Sequence, residues 1–134
     1  MEFNFEKLIT YQKSLVYADF VYDMTEHFPP QEKYSLIDQF RRAAVSISLN
    51  LGEGSCGTKK EFINFIRISN RPLRKCVVCT TIANRRKYIS EETNEKSREL
   101  LVEIAKLNSG LLNSWKNSVD LRKPATNNKL QTTN

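Results

Sequence analysis

Four polar residues recur on one side of a single predicted helix and are the first candidates for chemistry. They are spaced by four, four and three residues, which aligns them in one row along a helix face: Arg42, Ser46, Asn50 and Glu53. In a catalytic role Glu53 would be the base and Arg42 would clamp an anion. No second acid, histidine or metal ligand accompanies them, so we interpret the row as a feature of structure or assembly, and we expect no enzymatic activity.

The chain also contains one Cys-x-x-Cys motif, Cys76-Val77-Val78-Cys79, a spacing that can serve metal binding or redox chemistry. There is no second such pair, the only histidine is His27, and both cysteines continue a helical pattern. We therefore predict that they pack in the interior, with no metal and no cofactor. The odd number of cysteines and the absence of a signal-peptide pattern favour a reducing, cytoplasmic location.

Positive charge is concentrated in one segment. From Thr58 to Lys87 there are nine basic residues and a single acid, Glu61, a local charge of +8 in a chain whose net charge is +6. Most of these cations fall on one helix face when residues advance by about 100° each. The predicted nucleic-acid-binding residues are Lys60, Arg67, Arg71, Arg74, Lys75 and Arg85.

Such a face suits a phosphate backbone, because neutralised phosphates release counterions and arginine pairs with phosphate oxygens. It also suits plain solvation, or contact with acidic residues of a partner. No motif for reading base sequence is present, so we expect RNA binding through the backbone. The alternative is a protein-interaction scaffold whose basic face meets an acidic partner.

The hydrophobic periodicity defines the elements that carry these residues. Four amphipathic segments joined by short turns predict an all-α protein, an antiparallel up-down-up-down four-helix bundle over residues 1–120. The polar tail, residues 121–134, is predicted to be disordered. No apolar run reaches membrane-spanning length, so we expect no membrane partner.

The helix ends are predicted from their start and stop signals. The expected helices run from about Phe5 to Phe28, from the region 31–34 to Gly54, from Thr58 to Ile89 and from Ser90 to Val119. Thr58 and Glu61 have the spacing of a capping box. Gly52 and Gly54 are expected to end helix two with a glycine in the left-handed conformation. Pro72, inside helix three, predicts a bend or a break near residues 69–72.

Each of the four helices has an apolar stripe that predicts its buried face. In helix one the stripe is Leu8, Tyr11, Leu15, Ala18 and Tyr22, and in helix two it is Leu36, Phe40, Ala43, Ile47 and Leu51. On helix three, Ile82 is expected to widen the core stripe. Tyr17 and Tyr34 are the rings expected to be exposed, where they would support RNA binding.

A larger set of residues resembles the 23S rRNA intervening-sequence protein family, whose members are usually called four helix bundle proteins. It comprises Phe28-Pro29, Glu32, Tyr34, Leu36, residues 39–47, residues 50–54, Glu61-Phe62, Phe65 and Tyr88-Ile89. The resemblance implies a bacterial protein that forms a ring-like homopentamer and has no established enzymatic activity. It also implies that the family's signature positions are Arg42, Ser46, Asn50, Glu53 and Gly54.

A related branch of this family is the accessory protein of diversity-generating retroelements, a basic pentamer that binds nucleic acid and a reverse transcriptase. Our sequence departs from the family in helix three, where Asn70-Arg71-Pro72-Leu73 and Lys75 replace a small residue, Gly-Ser-Leu and a glutamate. This departure makes the helix more basic. We expect an oligomer that binds RNA, with ribosomal RNA as the first candidate, or alternatively a scaffold such as an accessory protein of a reverse transcriptase.

Overall fold

The computed structural model describes residue 6 and residues 8–54 and 57–121, and this part of the chain is all-α, as predicted. The helices are α1 (Ile9–Thr25), α2 (Leu36–Gly54), α3 (Lys59–Arg85) and α4 (Glu91–Leu121), and a 3₁₀ turn at Pro30–Glu32 precedes α2. The predicted tail lies outside the described residues, apart from Leu121, which ends α4.

The four helices form a closed bundle. Each packs against the next along the chain, and α1 packs against α4. Because the connections are short, consecutive helices run antiparallel, which confirms the predicted up-down-up-down bundle. The predicted apolar stripe of α2 is buried at every position: Leu36, Phe40, Ala43, Ile47 and Leu51.

Both predicted N-terminal caps are present. Thr58 Oγ1 accepts a hydrogen bond from the Glu61 amide at 3.1 Å, and Glu61 Oε1 accepts one from the Thr58 amide at 2.7 Å. The Ser90 hydroxyl accepts a hydrogen bond from the amide of Thr93 at the start of α4, also at 3.1 Å. These bonds satisfy amides that have no partner within the helix and so determine where α3 and α4 begin.

The first two helices are shorter than predicted at their shared connection. After Thr25 the chain tightens, because the His27 amide donates to the Met24 carbonyl and the Phe28 amide to the Thr25 carbonyl. These are bonds between residues three apart, which close a helix end. The chain then forms the 3₁₀ turn Pro30–Glu32, with proline at its first position, and α2 begins at Leu36.

The helix α2 ends at Gly54, as predicted, but the expected reason, a glycine in the left-handed conformation, was wrong. No described glycine has a positive φ, and Gly54 is a buried helical residue. A Cβ added to Gly54 would overlap Phe65 Cβ and lie 3.2 Å from Phe62 Cδ1. Glycine is needed there because α2 and α3 approach closely, not because of backbone conformation.

Of the two outcomes predicted at Pro72, the break does not occur, and the bend stays a prediction. The helix α3 is continuous from Lys59 to Arg85, and Pro72 is buried within it. A proline inside a helix costs about 3 kcal/mol, because it lacks an amide hydrogen and its ring crowds the carbonyl one turn earlier. Packing of α3 between α2 and α4 along its length offsets that loss.

The buried face of α1 differs from the predicted stripe by about a quarter turn. Leu15 is 42% exposed and Tyr22 44% exposed, whereas Tyr17, expected at the surface, is fully buried. The residues that α1 buries are Thr10, Ser14, Tyr17, Ala18, Val21, Met24 and Thr25. Of the two tyrosines expected to be exposed, only Tyr34 is, at 86%.

Hydrogen bonds explain why α1 turns a partly polar face inward. Asn108, fully buried on α4, accepts from Thr10 Oγ1 at 2.7 Å. Its amide nitrogen donates to Ser69 Oγ at 3.2 Å and to Asn70 Oδ1 at 3.3 Å. These four residues, the Asn108 network, join α1, α3 and α4, and every polar atom of the Asn108 side chain has a partner.

A second buried set of hydroxyls lies further along α1. Tyr17 Oη and Thr80 Oγ1 each lie 2.8 Å from Ser97 Oγ, which links α1, α3 and α4 again. Ser14 Oγ and Ser48 Oγ, also 2.8 Å apart, link α1 to α2. Burial raises the pKa of the Tyr17 hydroxyl well above its ordinary range, so this hydroxyl stays protonated within the network.

Three of the residues that carry the family resemblance meet at one end of the bundle. The rings of Phe28 and Tyr88 are 5.4 Å apart, and the Tyr88 hydroxyl donates to Glu32 Oε2 at 2.8 Å. Hydrogen bonds from Ser35 and then from Tyr88 lower the pKa of Glu32. The cluster ties the α1–α2 connection to the turn between α3 and α4.

Candidate nucleic-acid interface

The six predicted binding residues lie on α3 and are all exposed. We call this set the basic face: Lys60, Arg67, Arg71, Arg74, Lys75 and Arg85. In the part of the chain that the structure describes, the ion pairs are Lys13 with Glu103 and Arg42 with Asp38, and none involves the basic face. Its positive charge is therefore not neutralised by neighbouring side chains.

Two apolar side chains interrupt the basic face toward its C-terminal end. Val78 is 56% exposed and Ile82 41% exposed, so the prediction that Ile82 belongs to the core was wrong. At about 100° per residue, both fall in the same sector of α3 as the arginines. The face is thus cationic over its first half and mixed over its second.

The two cysteines of the Cys-x-x-Cys motif are buried packing residues, as predicted. Both are free thiols. Burial, and to a smaller extent the neighbouring Cys79, raises the pKa of the Cys76 thiol to about 12. Burial also raises the pKa of the Cys79 thiol. Neither thiol is a thiolate at neutral pH, which is the form that attacks or binds metal. Among the described residues no cluster of metal-ligating side chains occurs.

The polar row on α2 is not one connected network. Arg42, whose side chain is 79% exposed, pairs with Asp38 one turn earlier at 3.1 Å. The Asn50 amide donates to the Ser46 carbonyl at 3.0 Å and lies 3.4 Å from Ser46 Oγ. Glu53 is exposed and borders a groove between α1 and α2. Of the five signature residues, only Gly54 is buried.

The tertiary structure brings two separately predicted sets together. A cleft of about 650 Å³, which we call the α2–α3 cleft, contains Arg42 and Ser46 from the signature row and Arg71 and Lys75 from the basic face. Its other lining residues are Tyr22, Asp38, Gln39, Arg41, Ala43, Val45, Leu49 and Pro72. The other predicted binding residues do not line this cleft, and Asn50, Glu53 and Gly54 do not either.

Sequence reasoning placed one cleft residue, Tyr22, in the core and did not single out another, Arg41. A signal for Tyr22 was present. Ser14, Tyr17, Val21 and Thr25 form a second stripe with helical spacing on α1, and burying that stripe turns Tyr22 outward. Because hydroxyl-bearing residues that find hydrogen-bond partners are buried as well, an apolar stripe alone does not identify the buried face of α1.

Fold and surface together define a four-helix bundle with an unneutralised cationic helix face. Among the described residues, no helix is both long and apolar enough to cross a bilayer. The chain belongs to the 23S rRNA-intervening sequence protein family, whose model matches residues 6–110. This membership confirms the family resemblance.

The fold of the chain is also similar to that of a solved structure. A crystal structure of a protein with unknown function from the S23 ribosomal protein family of Bacteroides thetaiotaomicron is similar, with a TM-score of 0.72 and 23% sequence identity. The alignment covers 78% of our chain and 98% of that one, and at this identity it shows the fold alone. No curated protein matches the chain.

Proposed function

We propose that this protein is a non-enzymatic, oligomeric four-helix bundle that binds RNA through the basic face of α3. The observation that carries the proposal is that six exposed cations share one helix with no acid of the described chain paired to them. An ordinary solvated helix mixes both signs of charge, whereas a surface that meets phosphates does not.

The names of the family and of the similar protein support RNA as the ligand, and the cysteines support the proposed location. The family's name refers to 23S rRNA, and the similar Bacteroides protein is assigned to a ribosomal protein family, so ribosomal RNA is the first candidate. The free thiols of Cys76 and Cys79 agree with a reducing compartment such as the cytoplasm. Because the cations reach phosphates rather than base edges, we expect binding that depends strongly on salt and weakly on sequence.

Replacing Arg67, Arg71 and Arg74 together by alanine is expected to weaken RNA binding by roughly a hundredfold at matched salt, since each arginine supplies at least about 1 kcal/mol at a phosphate. The slope of log affinity against log salt should also become shallower by about two to three units. Fluorescence anisotropy with labelled RNA, repeated over a salt series, measures both quantities.

A charge-matched variant separates position from net charge. Lys33, Lys96 and Lys106 are exposed cations outside α3, and replacing them by alanine lowers the net charge by the same three units. This control should retain RNA affinity within a few-fold. If the arginine variant binds RNA as tightly as the parent protein, the RNA proposal is wrong.

The second candidate function is a scaffold for an acidic protein, such as an accessory protein of a reverse transcriptase. Val78 and Ile82 favour it, because exposed apolar side chains among arginines are typical of protein interfaces. Replacing both by serine would weaken such a complex while leaving the salt slope of RNA binding unchanged. The two functions are therefore distinguishable on the same face.

We also propose that the protein assembles with itself, as a homopentamer by family resemblance. Leu15, which is 42% exposed, borders an apolar groove of about 410 Å³ between α1 and α2, and association would cover it. Light scattering at micromolar concentration should give about 78 kDa, five times the 15.6 kDa chain. A mass of one chain at that concentration would remove the oligomer from the proposal.

A further inference from the structure

The α2–α3 cleft has an aromatic lining residue that the basic face does not explain. Tyr22, on α1, leaves 44% of its surface exposed, and the guanidinium carbon of Arg41 lies 4.6 Å from its ring centroid. Arg41 Nε donates to the buried Thr25 Oγ1 at 2.8 Å, and Nη2 donates to the Tyr22 carbonyl at 3.3 Å. The ring and guanidinium thus form a platform that is already held in place.

The α3 side of the cleft is cationic. Arg71 and Lys75 are four residues apart on α3, so they project from the same side of the helix one turn apart. In the described chain neither forms an ion pair, whereas Arg42, which lines the cleft from α2, is already paired with Asp38. An anion in the cleft would therefore be drawn toward α3 and not toward Arg42.

The cleft is large enough for a nucleotide and its neighbouring phosphate. Its volume of about 650 Å³ lies within the range of roughly 300–1,000 Å³ typical of small-ligand sites. A fixed aromatic surface with free cations across the same cleft matches the two chemical parts of a nucleotide, a flat base and an anion. A base within a duplex is stacked on its neighbours and cannot use such a platform.

We propose that the α2–α3 cleft captures an unpaired nucleotide of bound RNA, with the base stacked at Tyr22 and Arg41 and the adjoining phosphate at Arg71 and Lys75. The inference rests on the proposed function, since it takes RNA as the ligand, and it names the form of RNA preferred. The protein would therefore prefer single-stranded or bulged segments of RNA, and the rest of the basic face would bind the flanking backbone.

The test compares one RNA strand alone, the same strand annealed to its complement, and the strand with an abasic nucleotide at each position in turn. Tyr22→Leu removes the ring but keeps an apolar side chain. It should weaken binding of the single strand by roughly five- to a hundredfold and leave binding of the duplex within twofold. Tyr22→Phe, which retains the ring, should bind like the parent protein.

Tyr34→Leu is the matched control, because it removes an 86% exposed tyrosine that does not line the cleft, and it should bind both RNAs like the parent protein. At one position at least, the abasic strand should bind the parent protein as weakly as the intact strand binds Tyr22→Leu. This arm changes only the RNA, so it tests the contact even where Tyr22→Leu is unstable.

The outcomes separate this inference from the proposed function. The cleft inference is wrong if Tyr22→Leu binds the single strand as tightly as the parent protein does, and if the parent protein binds every abasic strand as tightly as the intact strand. The RNA function still stands in that case if the triple arginine variant loses RNA binding. If the parent protein binds no RNA, both are wrong. If poly-glutamate binds instead, and Tyr22→Leu weakens that binding, the cleft is a site for an acidic protein.

Discussion

Gly54→Ala is expected to lower the free energy of unfolding by about 3 kcal/mol, near the upper end of the usual cost of overpacking. The added Cβ would overlap Phe65 Cβ, an atom bonded directly to the backbone of α3, so no rotation of a side chain can relieve the contact. Instead α2 and α3 must move apart, which loosens the largest helix pairing in the bundle. Urea denaturation monitored by circular dichroism measures the change.

Gly110→Ala is the matched control for Gly54→Ala. Gly110 is a helical residue of α4, and a Cβ added there meets no atom within 4 Å. Alanine should raise the free energy of unfolding by about 0.5–1 kcal/mol at that position, through helix propensity alone. Opposite signs for the two substitutions are the prediction. Equal effects of the two substitutions on the free energy of unfolding would mean that the close packing of α2 against α3 does not require glycine at position 54.

Asn108→Ala is expected to cost about 2–4 kcal/mol of stability. Thr10 Oγ1 loses its acceptor, Ser69 Oγ and Asn70 Oδ1 lose a donor, and a cavity remains where the side chain was. Thr10 and Ser69 are almost fully buried, so water cannot replace those bonds without opening the bundle. The measurement is again the urea midpoint, at one protein concentration because association affects stability.

Asn113→Ala separates the network from helix propensity. Asn113 is an exposed residue of the same helix, so its replacement changes propensity by the same amount and removes no buried bond. It should change stability by less than about 0.5 kcal/mol. A difference of under about 1 kcal/mol between Asn108→Ala and Asn113→Ala would show that the Asn108 network contributes little.

Local patterns predicted most of the fold. The four amphipathic segments, the stripe of α2 and the caps at Thr58 and Ser90 all appear as expected, because each depends on residues within a few positions of one another. The same holds for the cationic sector of α3. Helical periodicity alone brings Arg67, Arg71 and Arg74 to one side of the helix.

Apart from the shortened ends of α1 and α2, the failures share one physical cause, which is contact between residues distant in sequence. The buried face of α1 depends on hydrogen-bond partners such as Asn108 and Ser97 on α4, and the sequence of α1 alone does not predict which residues of α4 those partners are. The helix α3 passes Pro72 without a break because α2 and α4 hold it on both sides. Gly54 is required by Phe65 of the following helix, which a rule about local backbone conformation could not show.

The sequence by itself therefore determined a basic, four-helix, all-α chain and the residues that make one helix face cationic, since helix formation and charge spacing are local properties. Only the tertiary structure decided what stands beside that face. It exposes the Tyr22 ring, places the Arg41 guanidinium over that ring, and brings both into one cleft with Arg71 and Lys75. The reason is that hydrogen bonds buried between helices decide which face α1 turns inward.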